Sequence, residues 1–512
     1  MKKYFYLFCL CGLFAGLFGS CGDDVYETYV TEPSGRDTLV IMDTLVIRDT
    51  VVLLMPDQGL SLATNYTMEM SESMVFKAVM ANTALETAYS WLLNSEEVST
   101  DSIYVFTPER SGSYTLSLTA TNAEGKYTQS VDITVNPGKY KHGTFILNEG
   151  LIATHGSLIY ISPSGEITPN VYHAVNGKYL WGLTQDMFIR HNKIYIISQG
   201  GDISASNYGG LTVLNAETLK EEYSYSFPRG SVSLSTPGHI AVLGEDEIYI
   251  QSHGEQGRIY LFHPSDSSLT EVANSRGAYW NTMAVASNKV FVPVNRDSVL
   301  MVIENGAAEV SRTIQFRDLV SGVIRSSDGN LWVSDNSGTI YKVDPNTCQI
   351  IDKHTLTLEG AVEALHRNPS SRKASTPHIS AKGDTIYINN TDWTIYCHIF
   401  SQNLTLTMVD TRYYIPEDDD YFTGQYSMGY NTCAVDPVSG EVYFNSLKGI
   451  GGQRHWCHTS VFDFSWAGSG ASTYVTVRKS RDYAGYIDYP AGVYFTHNFL
   501  ELEKAEEAFI NQ

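Results

Sequence analysis

The sequence predicts an all-β chain, an N-terminal immunoglobulin-like β-sandwich followed by a seven-bladed β-propeller. Two observations carry that expectation. An apolar strand triplet recurs six times, at Ile194-Tyr195-Ile196, Ile248-Tyr249-Ile250, Val290-Phe291-Val292, Leu331-Trp332-Val333, Ile386-Tyr387-Ile388 and Val442-Tyr443-Phe444, with first residues 54, 42, 41, 55 and 56 positions apart. Units of about 40–55 residues with several short strands each mark a propeller. Upstream of them, Gly112 to Asn122 alternates apolar and polar residues, as a half-buried strand does. Composition agrees: 34 tyrosines in 512 residues and only 18% charged residues favour an ordered β protein.

Taken in order, residues 1–20 read as a targeting segment. Lys2 and Lys3 precede an apolar run from Leu7 to Phe18, too short to span a bilayer as a mature helix. Phe18-Gly19-Ser20-Cys21 ends it and resembles the lipobox of bacterial lipoproteins, with Phe18 in place of the usual Leu. That resemblance implies lipid on Cys21 and a membrane anchor; an ordinary signal peptide cut near Ser20 is the alternative. Removing two lysines and no acids takes the formal charge from −22 to −24. So acidic a chain is not expected to bind nucleic acid. Gly22-Asp23-Asp24 resembles the surface-export signals of some Gram-negative lipoproteins.

Residues 21–54 are expected to form a tether ending in three hexads that begin at Asp37, Asp43 and Asp49. The even period puts each Asp on one face of an extended chain, either as a stalk or as the first strand of the next domain. Residues 55–136 read as the sandwich, with strands at Tyr89–Leu93, Tyr104–Thr107, Gly112–Asn122 and Val131–Val135. Their lone Trp91 and the run from Gly112 to Gly125 resemble PKD-like modules, which implies a spacer with Trp91 in its core. Asn136-Pro137-Gly138 is turn chemistry and marks the boundary.

The propeller is expected over residues 143–498. Phe145–Leu147 and Ser157–Ile161 open the first blade, and six repeats bring the count to seven, although six or eight also suit the irregular ends. Strand-rich Thr473–Phe495 is expected to complete a blade with strands from the start, hiding sheet edges. A tail, 499–512, is expected to hold a short helix at Glu501–Ala508. Cys348, Cys397, Cys433 and Cys457 permit disulfides in an oxidising compartment, but free thiols are favoured because a domain of this size needs no staples.

The block Gly143–Gly150, then Gly156–Tyr160, Asn176-Gly177 and Gln185-Asp186-Met187, resembles the YncE-like propeller lipoproteins of gut-type Gram-negative anaerobes. The resemblance covers roughly residues 143–495. It implies a surface lipoprotein similar to the cobalamin binders that sit over TonB-dependent outer-membrane transporters. The PKD-like module departs from the simplest of these, and no motif fixes a corrinoid-contacting residue.

In a propeller, loops entering the innermost strands and loops leaving the second strands share one face. The first set supplies Trp181, Gln185, Tyr279, Trp280, Asn281, Tyr430 and Asn431; the second supplies Tyr208, Asp335, Asn336, Asn390, Trp393, His455 and Trp456. Aromatic and amide side chains suit a large neutral or polyhydroxylated ligand, a corrinoid or a glycan. The competing reading makes them polar turns and wedges between blades. His455-Trp456-Cys457-His458 tempts a metal reading, but the two histidines point to opposite faces of an extended strand, and no second cluster supplies ligands. Glu417–Asp420 lacks EF-hand spacing and reads as a solvated insertion. No Gly-x-Ser-x-Gly, His-Glu-x-x-His or phosphate loop is present, so neither an enzyme nor a cofactor is expected. A propeller lyase or lactonase with channel carboxylates such as Asp186, Glu149 or Asp335 is the alternative.

Overall fold

A computed structural model describes residues 47–54, 64–80, 83–123, 125–150, 155–200, 208–227, 236–253, 257–278, 281–366, 379–389, 393–414, 427–447, 458–467, 474–484, 487 and 489–510. The chain divides into two compact units, residues 1–137 and 138–512.

The first unit is a sandwich of a three-stranded and a five-stranded sheet. Strand Ile47–Leu54 pairs in parallel with Ser73–Val79, which pairs antiparallel with Ile103–Phe106. The third hexad therefore enters the sandwich as a strand; the first lies outside the described residues. Alternation in Gly112–Asn122 sends Leu116, Leu118 and Ala120 inward, where they meet Phe76, Trp91, Phe106 and Ile133. Trp91 is fully buried, and its Nε1 donates to the Asp101 carbonyl at 2.8 Å. Trp91→Ala is expected to cost about 3–5 kcal/mol, read as a lower urea midpoint of this unit.

The second unit is a seven-bladed β-propeller of four-stranded antiparallel sheets. The six apolar triplets are the second strands of blades two to seven, and Phe145–Leu147 is their counterpart in blade one. These strands are buried on both faces: Ile194, Tyr195 and Ile196 are all 0% exposed. Two turns from innermost to second strand place consecutive residues at positive φ, His191-Asn192 and Ser287-Asn288. That is the geometry of two-residue hairpin loops, whose twist matches the flanking strands.

Closure differs from the sequence expectation in one respect. Tyr474–Ala484 is the outermost strand of blade seven, and only Pro490–Phe495 joins the chain start. It becomes the innermost strand of blade one, with Val493 opposite Ile146 and Phe495 opposite Thr144. Blade seven needs its own fourth strand before the chain can return to the axis. The helix after closure is also longer than expected, Thr496–Ile510. Phe499, Leu502 and Glu506 recur at helical spacing and turn inward. Phe499 meets Phe188 edge to face at 5.2 Å, and Glu506 accepts a hydrogen bond from the Asn288 backbone N–H. The helix thus lies on the face of the hairpin turns, hereafter the helix face. The opposite, loop face carries the loops that enter the innermost strands. Among the described residues no helix is long and apolar enough to cross a membrane.

Cys348, Cys397 and Cys433 are free and buried, as favoured from the sequence; Cys457 lies outside the described residues. Burial pushes the Cys397 and Cys433 thiols up to about 12, so both are protonated and inert at neutral pH.

Candidate functional site

The predicted loop-face residues divide by environment. The ring of Trp181 packs against Gly210 of the neighbouring strand, where a Cβ would come within 1.2 Å of its Cζ3. Trp393 is half-buried against the apolar cluster shared by blades six and seven, 6.4 Å from the Phe444 ring. Both rings act as wedges in the fold. Asp335 is fully buried and accepts from Ser337 N at 3.0 Å, Ser337 Oγ at 2.6 Å, Thr339 N at 3.2 Å, Tyr341 Oη at 2.7 Å and Asp318 N at 3.2 Å. It fixes the turn after its strand and has little capacity left for a ligand. Asn336 is half-buried and donates its backbone N–H to Leu319.

Gln185 and Asn281 are buried polar groups nearer the axis. Gln185 Nε2 donates to Glu149 Oε1 at 2.7 Å, joining blades two and one. Asn281 Nδ2 donates to the Ser321 carbonyl at 2.8 Å, while its Oδ1 has no hydrogen-bond partner. Asn295, after the second strand of blade four, is buried with neither side-chain polar atom hydrogen-bonded. Tyr208, Tyr430 and Asn431 lie on strands Tyr208–Asn215 and Ser427–Val435, with side chains outside the described residues. Tyr279, Trp280, Asn390, His455, Trp456, Cys21 and Glu417–Asp420 also lie outside them. His458 Nδ1 pairs with Asp482 Oδ1 of its own blade at 3.1 Å. Among the described residues no group of three or more His, Cys, Asp or Glu side chains is placed to hold a metal ion.

The axis holds a network that residue type alone does not single out. Asp186, on the innermost strand of blade two, accepts from Tyr494 Oη of blade one at 2.8 Å and approaches His239 Nδ1 of blade three at 2.9 Å. It also accepts from its neighbour Met187 N at 2.8 Å and from Ile240 N at 3.3 Å. Burial, with the Asp186 carboxylate beside it, holds the Tyr494 hydroxyl protonated far above the ordinary phenol range. His239 is 2% exposed, and its Nε2 has no hydrogen-bond partner. The sequence does carry signals of it: a tyrosine in a buried innermost strand needs a polar partner, and so does a buried histidine.

Asp186 and Tyr494 border an axial cavity of about 220 Å³. Phe188, Thr282, Ser380 and Phe499 also border a larger one, about 680 Å³, which reaches the helix face. The axis is therefore hollow, polar near Asp186 and partly covered at one end by the C-terminal helix.

Residues 142–496 match the family described as "Domain of unknown function (DUF5074)", and residues 59–135 match the PKD domain. No curated protein matches the chain. Among solved structures, a quinonprotein alcohol dehydrogenase-like protein from Bacteroides thetaiotaomicron VPI-5482 is 16% identical with a TM-score of 0.45, over 86% of this chain and 98% of that one. YCF48 bound to D1 peptide is 12% identical with a TM-score of 0.38, over 61% of this chain and 92% of that one.

Proposed function

We propose, from the premise that this chain belongs to the family described as "Domain of unknown function (DUF5074)", that it is a lipid-anchored surface protein of the outer membrane. Its propeller captures a small molecule at the loop face, without turnover, and passes it to a TonB-dependent transporter. A corrinoid is the leading ligand by the resemblance of the Gly143–Met187 block, and a glycan is the alternative in the same setting.

One observation carries the reading. On the loop-face side of blades three and four, polar atoms of His239, Asn281 and Asn295 are buried without hydrogen-bond partners. Buried polar atoms are nearly always paired, with protein, water or ligand. Several unmatched ones in neighbouring blades favour a site that a polar ligand completes. The Cys21 anchor would place that site at the membrane surface.

Titrating the purified chain with cobinamide, cobalamin and a glycan panel tests the reading. Nanomolar binding of a corrinoid is expected; binding of a glycan instead selects the alternative, and binding of neither removes both. Asn295→Ala adds a sharper check. Its side chain makes no hydrogen bond, so the substitution is expected to leave the melting temperature unchanged or higher. Ligand affinity is expected to fall about tenfold, or ~1.4 kcal/mol.

A further inference from the structure

The helix face carries a cavity of its own. The cavity of about 680 Å³ there lies between the C-terminal helix and the innermost strands of blades two, four, five and six, with Pro437 of blade seven at its edge. That volume falls within the usual range for small-molecule pockets. Its walls are of two kinds. Phe188, Met283, Phe499 and Leu502 give it apolar surface, while Arg325 and Lys382 bring positive charge to its lining.

Arg325 ends the innermost strand of blade five and is half-buried. Among the described residues no hydrogen bond or ion pair holds its guanidinium. Glu506, Glu501 and Asp328 act on it only through space. Each is engaged elsewhere: Glu506 by the Asn288 N–H, Glu501 by Lys504 at 2.9 Å, and Asp328 by Lys342. Lys382 Nζ donates to the Val438 carbonyl at 2.8 Å, which leaves it further donors. A guanidinium fork with no partner, facing a cavity, is built to take a carboxylate through two parallel hydrogen bonds.

We infer that this cavity binds a monocarboxylic acid with an apolar body, its carboxylate on Arg325 and its body against Phe188, Met283 and Phe499. A single charge suits the site. Arg325 and Lys382 set against Glu501, which lines the same cavity, leave a net single positive charge, which a carboxylate matches and a phosphate dianion exceeds. The apolar body accounts for the half of the wall that offers no hydrogen bonds. This site stands apart from the loop face and does not depend on the ligand there.

Calorimetry on the full chain tests it with indole-3-acetate and decanoate as acids and indole-3-acetamide as the neutral control. Saturable binding of at least one acid is expected, with the amide at least about tenfold weaker than indole-3-acetate. Arg325→Gln is expected to weaken acid binding about tenfold or more and to leave the amide unchanged. Absence of saturable acid binding, equal affinity for acid and amide, or unchanged acid binding in Arg325→Gln overturns the assignment. Should Arg325→Gln fail to fold, Lys382→Gln serves in its place. Its hydrogen bond is exposed, so folding is expected to survive, with a loss of about threefold or more in acid affinity alone; no loss overturns the assignment.

Discussion

Replacing Asp186 with alanine is expected to destabilise the propeller by about 3–5 kcal/mol, the range for breaking a buried charged network by removing one partner. The carboxylate joins the innermost strands of three blades, with Tyr494 Oη from blade one and His239 and Ile240 from blade three. Tyr494 lies on the strand that closes the ring, so the same carboxylate holds that closing strand of blade one to the second and third blades. Alanine leaves the buried Tyr494 hydroxyl and His239 Nδ1 without their acceptor, and each unmet group costs roughly 1–3 kcal/mol. Asp186→Asn keeps the shape but has one acceptor oxygen instead of two, so its loss is expected to be intermediate. Tyr494→Phe removes one arm and is expected to cost about 1 kcal/mol. The measurement is the urea midpoint of the propeller's transition, with the sandwich's transition as an internal reference. An Asp186→Ala midpoint close to that of the parent chain would remove Asp186 as the clasp.

That clasp shows where sequence reading stops. The blades are legible because second strands are buried on both faces, which forces continuous apolar triplets at blade spacing. The sandwich is legible because each of its long strands buries one face and alternates. Closure is legible only by half. The segments around Tyr474 and Gly492 have similar β-propensity, and propensity carries no information about the partner strand. The Asp186–Tyr494 pair spans 308 residues, a separation that no local pattern reports.

Candidate site residues chosen by type meet the same limit. Trp181 reads as a ligand platform by type, yet Gly209-Gly210 in the facing strand already marks a close approach by something bulky. Asp335 opens Asp335-Asn336-Ser337-Gly338-Thr339, a turn sequence in which an Asp side chain commonly caps its own backbone. Arg325 sits in Arg325-Ser326-Ser327-Asp328-Gly329-Asn330, which reads as an ordinary polar turn. Only the fold turns its guanidinium toward a cavity.

Acidification is expected to destabilise the propeller through one buried histidine. His398, on the third strand of blade six, is fully buried. Its Nε2 lies 3.0 Å from His354 Nδ1 of blade five, and its Nδ1 lies 3.0 Å from Thr405 Oγ1. His354 in turn stacks on Phe400 at 4.0 Å. Burial first, and the His354 ring second, push His398 down to about 4, against a weaker upward pull from Asp384. The unfolded chain, near the ordinary value of about 6.5, takes up the proton first as pH falls. Stability is therefore fully present above about pH 6.5, declines from there to about pH 4, and gains no further loss from this residue below that. Each tenfold difference in proton affinity between folded and unfolded chain is worth about 1.4 kcal/mol, so the loss approaches roughly 3 kcal/mol. His398→Gln removes the titration but keeps a polar side chain beside His354 and Thr405. Carboxylates add their own pH dependence in this window, so the informative quantity is the difference between parent and variant. The parent's urea midpoint is expected to fall more steeply than the variant's between pH 6.5 and 4, with the two running parallel above pH 7. Parallel curves across the whole range would place the acid sensitivity elsewhere, and an NMR titration of the His398 ring centred near pH 6.5 would show that burial does not hold its proton affinity down.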